Sequence, residues 1–159
     1  MSTPFCVNLS NISATEALGT ALAHLCVPGR QLCLDGPLGA GKSTLARAII
    51  EQVCGPQLDI PSPTFTIVQP YDALAGYEVW HMDLYRLTTA QDALALGIEE
   101  AFFDAACLIE WPDKIADLLP ATVVTISLSI TGELSRRAEI FASEQEQAVM
   151  SDMLGSELS

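Results

Sequence analysis

A chain of 159 residues has the size of one folded domain; half of its residues are apolar and 17% are charged, which excludes an intrinsically disordered protein. Twenty acidic side chains against 7 basic ones leave a net charge of −13. Nucleic-acid binding draws on Lys and Arg to displace counterions, so direct, independent binding of RNA or DNA is not expected, and the field suits a basic protein partner instead. No run of 18 apolar residues is present and no basic residue precedes Arg30, so neither a membrane span nor a signal peptide is expected. Cys6, Cys26, Cys33, Cys54 and Cys107 form no C-x-x-C pair and read as reduced thiols of a cytoplasmic protein.

In chain order, Phe5 to Leu9 alternates like a short edge strand. Ser13 to Glu16 has the form of a capping box, opening an Ala/Leu-rich helix that runs to Cys26 and is stopped by Pro28-Gly29. Gln31 to Asp35 is a short apolar strand leading directly into a glycine loop, and Ser43 to Cys54 is the helix that follows. Pro61-Ser62-Pro63 imposes extended backbone. Strands are expected over Phe65 to Tyr71 and Tyr77 to Leu84, with a turn at Gly76, and short helices over Gln91 to Leu96 and Ile98 to Asp104. Ala106 to Ile109 is a buried strand ending at Glu110; Val123 to Ile130 and Arg136 to Ala142 form a hairpin. The pattern predicts an α/β fold, a sheet with helices on both faces and a β-rich C-terminal part. It divides into a domain over residues 1–142 and an acidic tail over 143–159 that forms a helix and then frays.

The loop Gly36-Pro37-Leu38-Gly39-Ala40-Gly41-Lys42-Ser43 fits the phosphate-cradling pattern G-x-x-x-x-G-K-S/T, the Walker A element. Gly36, Gly39 and Gly41 let the backbone curl and turn its N–H groups inward with no Cβ in the way of an anion. The helix that follows adds the positive end of its dipole. Lys42 brings a full charge to the β- and γ-phosphates, and the Ser43 hydroxyl is a ligand for Mg²⁺.

Magnesium held by such a loop needs a carboxylate from elsewhere. Glu110 stands where a buried strand exits at its carboxyl end, the edge at which open α/β sheets bind ligands, and is the first candidate. Asp83, at the end of Val79 to Asp83, is the second. A surface acid at a strand exit is the alternative for each. Pro61-Ser62-Pro63-Thr64 holds two hydroxyls on a rigid segment, suited either to sensing a γ-phosphate, as Thr does in switch loops, or to a purely structural turn. Trp111 either walls a nucleotide pocket or packs in the core. His24 and His81 lack a Cys or carboxylate constellation and read as structural.

The chain resembles the TsaE (YjeE) family of bacterial P-loop ATPases. The motifs carrying the resemblance are Gly36 to Thr44, Ser62-Pro63-Thr64-Phe65-Thr66, His81-Met82-Asp83-Leu84-Tyr85-Arg86-Leu87, Leu96-Gly97, Cys107 to Pro112 and Leu119-Pro120, in that order ahead of the β-rich C-terminal part. The resemblance implies ATP/ADP and Mg²⁺ as cofactors. It also implies an accessory ATPase, joined to two other subunits that place a threonylcarbamoyl group on adenosine 37 of tRNA. Position by position, it implies that the loop from Gly36 to Thr44, Ala40 included, binds nucleotide, that Lys42 binds phosphate, and that Ser43 and Glu110 serve the metal. Asp83 would be an essential acid near the γ-phosphate, while Ser62 and Thr64 lie in a switch-like loop beside the pocket that Trp111 would wall. The family's nucleotide-approaching Arg follows a Gly directly; here the pair is interrupted, and Arg136 takes the role. Pro37 stands where the family generally has Asp, and the tail after Ala142 matches nothing.

Three other activities share such a loop. A small-molecule kinase would need an Arg-rich lid, and none is evident; a GTPase would carry N-K-x-D, which is absent. A nucleotide-dependent assembly switch with incidental hydrolysis stays open. Only Arg30, Arg47, Arg86, Arg136 and Arg137 are present and none is an obvious arginine finger, so slow hydrolysis dependent on partner subunits is expected.

Overall fold

The computed structural model describes residues 3–56, 60, 61, 63 and 67–155. Strands β1 (Phe5–Leu9), β2 (Gln31–Asp35), β3 (Val68–Asp72), β4 (Glu78–Asp83), β5 (Ala106–Glu110), β6 (Val124–Ile130) and β7 (Arg136–Phe141) form one sheet in the order β1-β7-β6-β2-β5-β4-β3. The central strands β6, β2, β5 and β4 run parallel. Both margins are antiparallel: β3 on β4, β7 on β6 and β1 on β7. Pro70 sits in β3, the margin strand, where a missing N–H costs no ladder bond on the outer side.

Burial on both faces explains the apolar runs of the central strands. Leu32 and Leu34 of β2 and Leu108 of β5 join a core shared with helices α1 (Ile12–Leu22), α2 (Lys42–Cys54) and α5 (Glu144–Gly155). Their neighbours Cys33, Cys107 and Ile109 point the other way, into a second core closed by α3 (Ala90–Leu94), α4 (Ile98–Asp104) and a 3₁₀ segment over Pro112–Leu118. Period-two alternation thus assigns each strand residue to one of two helical layers, and the expected sheet with helices on both faces is the architecture found.

Helix α1 begins at Ile12, ahead of the expected capping box. Asn11 is extended and its side-chain oxygen accepts from the Ala14 N–H at 2.9 Å, so Ser13 and Glu16 lie inside the first turns; an Asn already in cap geometry outcompetes a Ser two residues later. The helix also ends early, at Leu22, with a 3₁₀ turn over Ala23–Leu25 completing the run. Strand β3 starts at Val68; Phe65 and Thr66, placed in it by the sequence, lie outside the described residues. The 3₁₀ segment after β5 has no counterpart among the expected elements. Its opening residue is Pro112, which has no N–H to leave unsatisfied there and a φ already close to helical. The acidic tail contains α5, whose Met150 and Leu154 are buried in the first core.

Candidate functional site

The glycine loop leaves β2 between two strands that pair with it on opposite sides, β5 and β6, and so opens at a switch point of the sheet. Gly36 turns the chain with φ +146°, and a Cβ there would stand 2.6 Å from the Leu128 carbonyl oxygen of β6. Gly39 and Gly41 also have positive φ, and a Cβ on either would meet nothing within 4 Å: they border open space. Pro37 is exposed, and its carbonyl accepts from the Ala40 N–H at 3.1 Å, closing a turn that does not use the amide hydrogen proline lacks.

Lys42 is the first residue of α2 and is buried. Its Nζ donates to the Gly36 carbonyl and lies 3.6 Å from the centroid of the Trp111 ring. Burial pulls its ammonium below the ordinary lysine range; the carboxylates of Glu110, Asp35, Asp83 and Asp113 act in the opposite sense.

The two acids occupy adjoining strand ends. Asp83 closes β4 and Glu110 closes β5, in direct register, and both are buried. Strand alternation puts His81, Asp83 and Glu110 on the face that α2 covers, along with Val79 and Leu108 of the first core. The Ser43 hydroxyl is 3.3 and 3.4 Å from the two oxygens of the Glu110 carboxylate. On its other side His81 Nε2 is 2.7 Å from Glu110 Oε2. Asp83 Oδ1 accepts from the Tyr85 N–H at 3.1 Å. A cavity of about 300 Å³ is bounded by Gly39, Gly41 to Thr44, Asp83, Glu110 and Trp111.

Of the expected site residues, Gly39, Gly41, Lys42, Ser43, Thr44, Asp83, Glu110 and Trp111 therefore surround one space. Ala40 is buried and Gly36 lies behind Lys42, so these two shape the loop rather than face the cavity. Trp111 both borders the cavity and packs against the core. It packs against the second core and against Tyr85, with ring centroids 4.9 Å apart, while its face lies under Lys42; a left-handed backbone, φ 60°, turns it there. Arg136 reaches the loop from the β6–β7 hairpin, donating to the Gly39 carbonyl from Nε and Nη2 at 3.2 and 3.0 Å. It lines a second, smaller depression with Asn11, Thr15 and Thr44, outside the cavity of the two acids. Ser62 and Thr64 lie outside the described residues.

His81 corrects the sequence reading. It has a carboxylate partner, contributed by the neighbouring strand, 29 residues further along the chain. A signal was available: two residues before Asp83 on one strand is the same face of the sheet.

The four thiols Cys26, Cys33, Cys54 and Cys107 are buried and unbridged, and burial pushes those of Cys26, Cys33 and Cys107 up to about 12. No helix among the described residues is long and apolar enough to cross a membrane.

A glycine loop between a central parallel strand and a helix, faced by acids from the ends of β5 and β4, the next two strands of the sheet, defines an α/β protein of the P-loop NTPase fold. Comparison with known proteins narrows the class. Residues 9–138 match the family described as threonylcarbamoyl adenosine biosynthesis protein TsaE, and the chain belongs to that family. A relative from Rickettsia felis, named tRNA threonylcarbamoyladenosine biosynthesis protein TsaE, is 34% identical over 94% of this chain and 87% of its own length. Relatives of the same name from Haemophilus influenzae and Bacillus subtilis are 37% and 34% identical; the alignments cover 69% and 79% of this chain and 68% and 78% of theirs. The crystal structure of Bacillus subtilis YdiB superposes with a TM-score of 0.77 at 25% identity, covering 99% of this chain and 98% of that one.

Proposed function

We propose that this chain binds ATP with Mg²⁺ in the cavity between the glycine loop and the ends of β4 and β5. On this reading it hydrolyses ATP slowly, as an accessory subunit in the N6-threonylcarbamoylation of adenosine 37 of tRNA in the cytoplasm. The observation that carries the ATP reading is the convergence of Lys42, the Ser43 hydroxyl and the Glu110 carboxylate on one cavity beside open glycine backbone. The tRNA part rests on the name shared by the relatives.

The residues fit the implied groups. Open space over Gly39 and Gly41 is the concavity a polyphosphate needs, and a Cβ would fill it. Ser43 and Glu110 pair a hydroxyl with a carboxylate, the hard oxygen donors that Mg²⁺ prefers. Among the described residues no three His, Cys, Asp or Glu side chains form a closed metal cage; a magnesium site that borrows phosphate and water oxygens does not require one. The metal, when bound, would neutralise charge on the β- and γ-phosphates.

The protein's own groups then have distinct tasks. Lys42, held between the Gly36 carbonyl and the Trp111 ring, exchanges these partners for phosphate oxygens. Glu110, with the Ser43 hydroxyl, would hold the metal, and Asp83 would orient the attacking water. Thr44 and the depression beside Arg136 receive the remainder of the nucleotide. Among the described residues no arginine lines the cavity of the two acids, where a finger typically contributes about 10³–10⁵ in rate. That favours activation by the other subunits of the threonylcarbamoyl-transfer complex.

Single-turnover hydrolysis of γ-labelled ATP, with and without those subunits, tests the proposal. Faster release of free phosphate with them is expected; equal, fast rates in both, or label on a small metabolite, would reject it. The assembly-switch reading is separated by Glu110→Ala: complex formation retained while tRNA modification stops assigns hydrolysis a role in resetting the complex.

A further inference from the structure

We propose that His81 is a positioning residue for the magnesium-side carboxylate, fixing the rotation of the Glu110 carboxylate beside the Ser43 hydroxyl by holding Oε2 through Nε2; this rests on the nucleotide reading above. His81 and Glu110 are both almost completely buried, with side chains 1% and 3% exposed. Their contact, at 2.7 Å, is the short one at the carboxylate. Ser43 Oγ, at 3.3 and 3.4 Å, is nearly equidistant from the two oxygens and selects neither. A Glu carboxylate turns about its last torsion over a broad range, and the imidazole is what stops it.

The other ring nitrogen sharpens the assignment. His81 Nδ1 is buried with no hydrogen-bond partner among the described residues. A histidine kept for packing alone would be expected to have both nitrogens satisfied or to be replaced by an apolar residue, since a buried unpaired polar atom costs about 1–3 kcal/mol. Here the polar contact made by the ring goes to one oxygen of Glu110. A carboxylate oxygen accepts, so the Nε2–H is the donor in this contact. The register of the sheet makes the contact possible: Asp83 pairs with Glu110, and His81, two residues earlier on the same face, reaches one carboxylate oxygen while Ser43 lies near both.

The test is the Mg²⁺ dependence of binding of a fluorescent, non-hydrolysable ATP analogue to the full chain, in EDTA and across a MgCl₂ titration. Replacing an outer partner of a metal ligand typically costs about 10–100-fold in metal affinity. His81→Leu should therefore shift the MgCl₂ midpoint upward by about 10–100-fold, with affinity in EDTA within about twofold of the parent, because the loop amides and Lys42 are untouched. His81→Gln carries an N–H close to the position of Nε2 and should restore most of the midpoint; His81→Asn, one bond shorter, should not. Should His81→Leu fail to fold, the Gln and Asn pair decides alone. Equal midpoints for Gln and Asn, or equal losses with and without Mg²⁺, would overturn the assignment. A parent protein that binds the analogue with no response to Mg²⁺ would reject the nucleotide reading itself, and the role of His81 with it; a responsive parent whose His81 variants keep the parent's midpoint rejects only the latter.

Discussion

Lys42 is held in a site that disfavours its charge, since burial lowers its proton affinity against four opposing carboxylates. Lys42→Met should abolish binding of an ATP analogue, by more than about 100-fold, while raising the melting temperature of the ligand-free protein by about 2–4 °C. The sign of the pH effect follows from linkage. Between the lowered native value and the ordinary 10.5, the unfolded chain binds more protons at Lys42 than the native one, so the parent gains stability as pH rises. The variant's advantage should therefore shrink toward pH 10.5, as read by paired thermal melts. The glycines separate in the same way. Gly36→Ala drives a Cβ to 2.6 Å from backbone of β6 and should cost about 2–4 kcal/mol of stability. Gly41→Ala meets no atom and bears only the strain of φ +102°, about 1–2 kcal/mol, so it should stay folded while losing analogue binding. Chemical denaturation beside a binding titration distinguishes the two.

Elements whose identity rests on local pattern are legible in the sequence itself. Strand β2, the loop, α2 and β5 follow from an apolar run, positional glycines and a terminal acid, and these point to Lys42, Ser43 and Glu110. What local pattern does not contain is which side chains meet across strands. His81 and Glu110 are neighbours because β4 pairs with β5, and Arg136 meets Gly39 because the β6–β7 hairpin bends over the loop. Two polar candidates compete to cap α1, and the choice between them depends on backbone geometry at Asn11. The tail is a third case: acidic composition suggests a helix, but its anchorage depends on Met150 and Leu154 reaching the first core, and on Arg30 pairing with Glu146 at 2.5 Å. Helix α5 lies beyond the span that matches the family, yet it closes part of that core. Met150→Ala should cost about 2–4 kcal/mol and lower the melting temperature by about 5–10 °C, with affinity for the ATP analogue unchanged.

At the scale of the whole molecule, the charge of −13 sets the manner of association. Electrostatic steering toward a basic partner is screened by salt, so association with the partner subunits proposed above should slow by about tenfold or more between 50 and 500 mM NaCl. A tRNA offered alone should not be retained even at 50 mM salt in a filter-binding assay, because too few cations are available to displace its counterions.

Pairing between β1 and β7 also bears on how the molecule is made. Phe5 lies opposite Ile140, so the first strand to emerge has its partner in the last. At the usual pace of synthesis the intervening residues take on the order of ten seconds to appear. Through that interval the glycine loop and its parallel neighbours can assemble, while β1 waits as an open edge. Closure of this long-range pair is then the late, slow event of folding. A nascent chain arrested before residue 136 would hold the central strands without their N-terminal margin, a species for chaperones to cover rather than a working subunit.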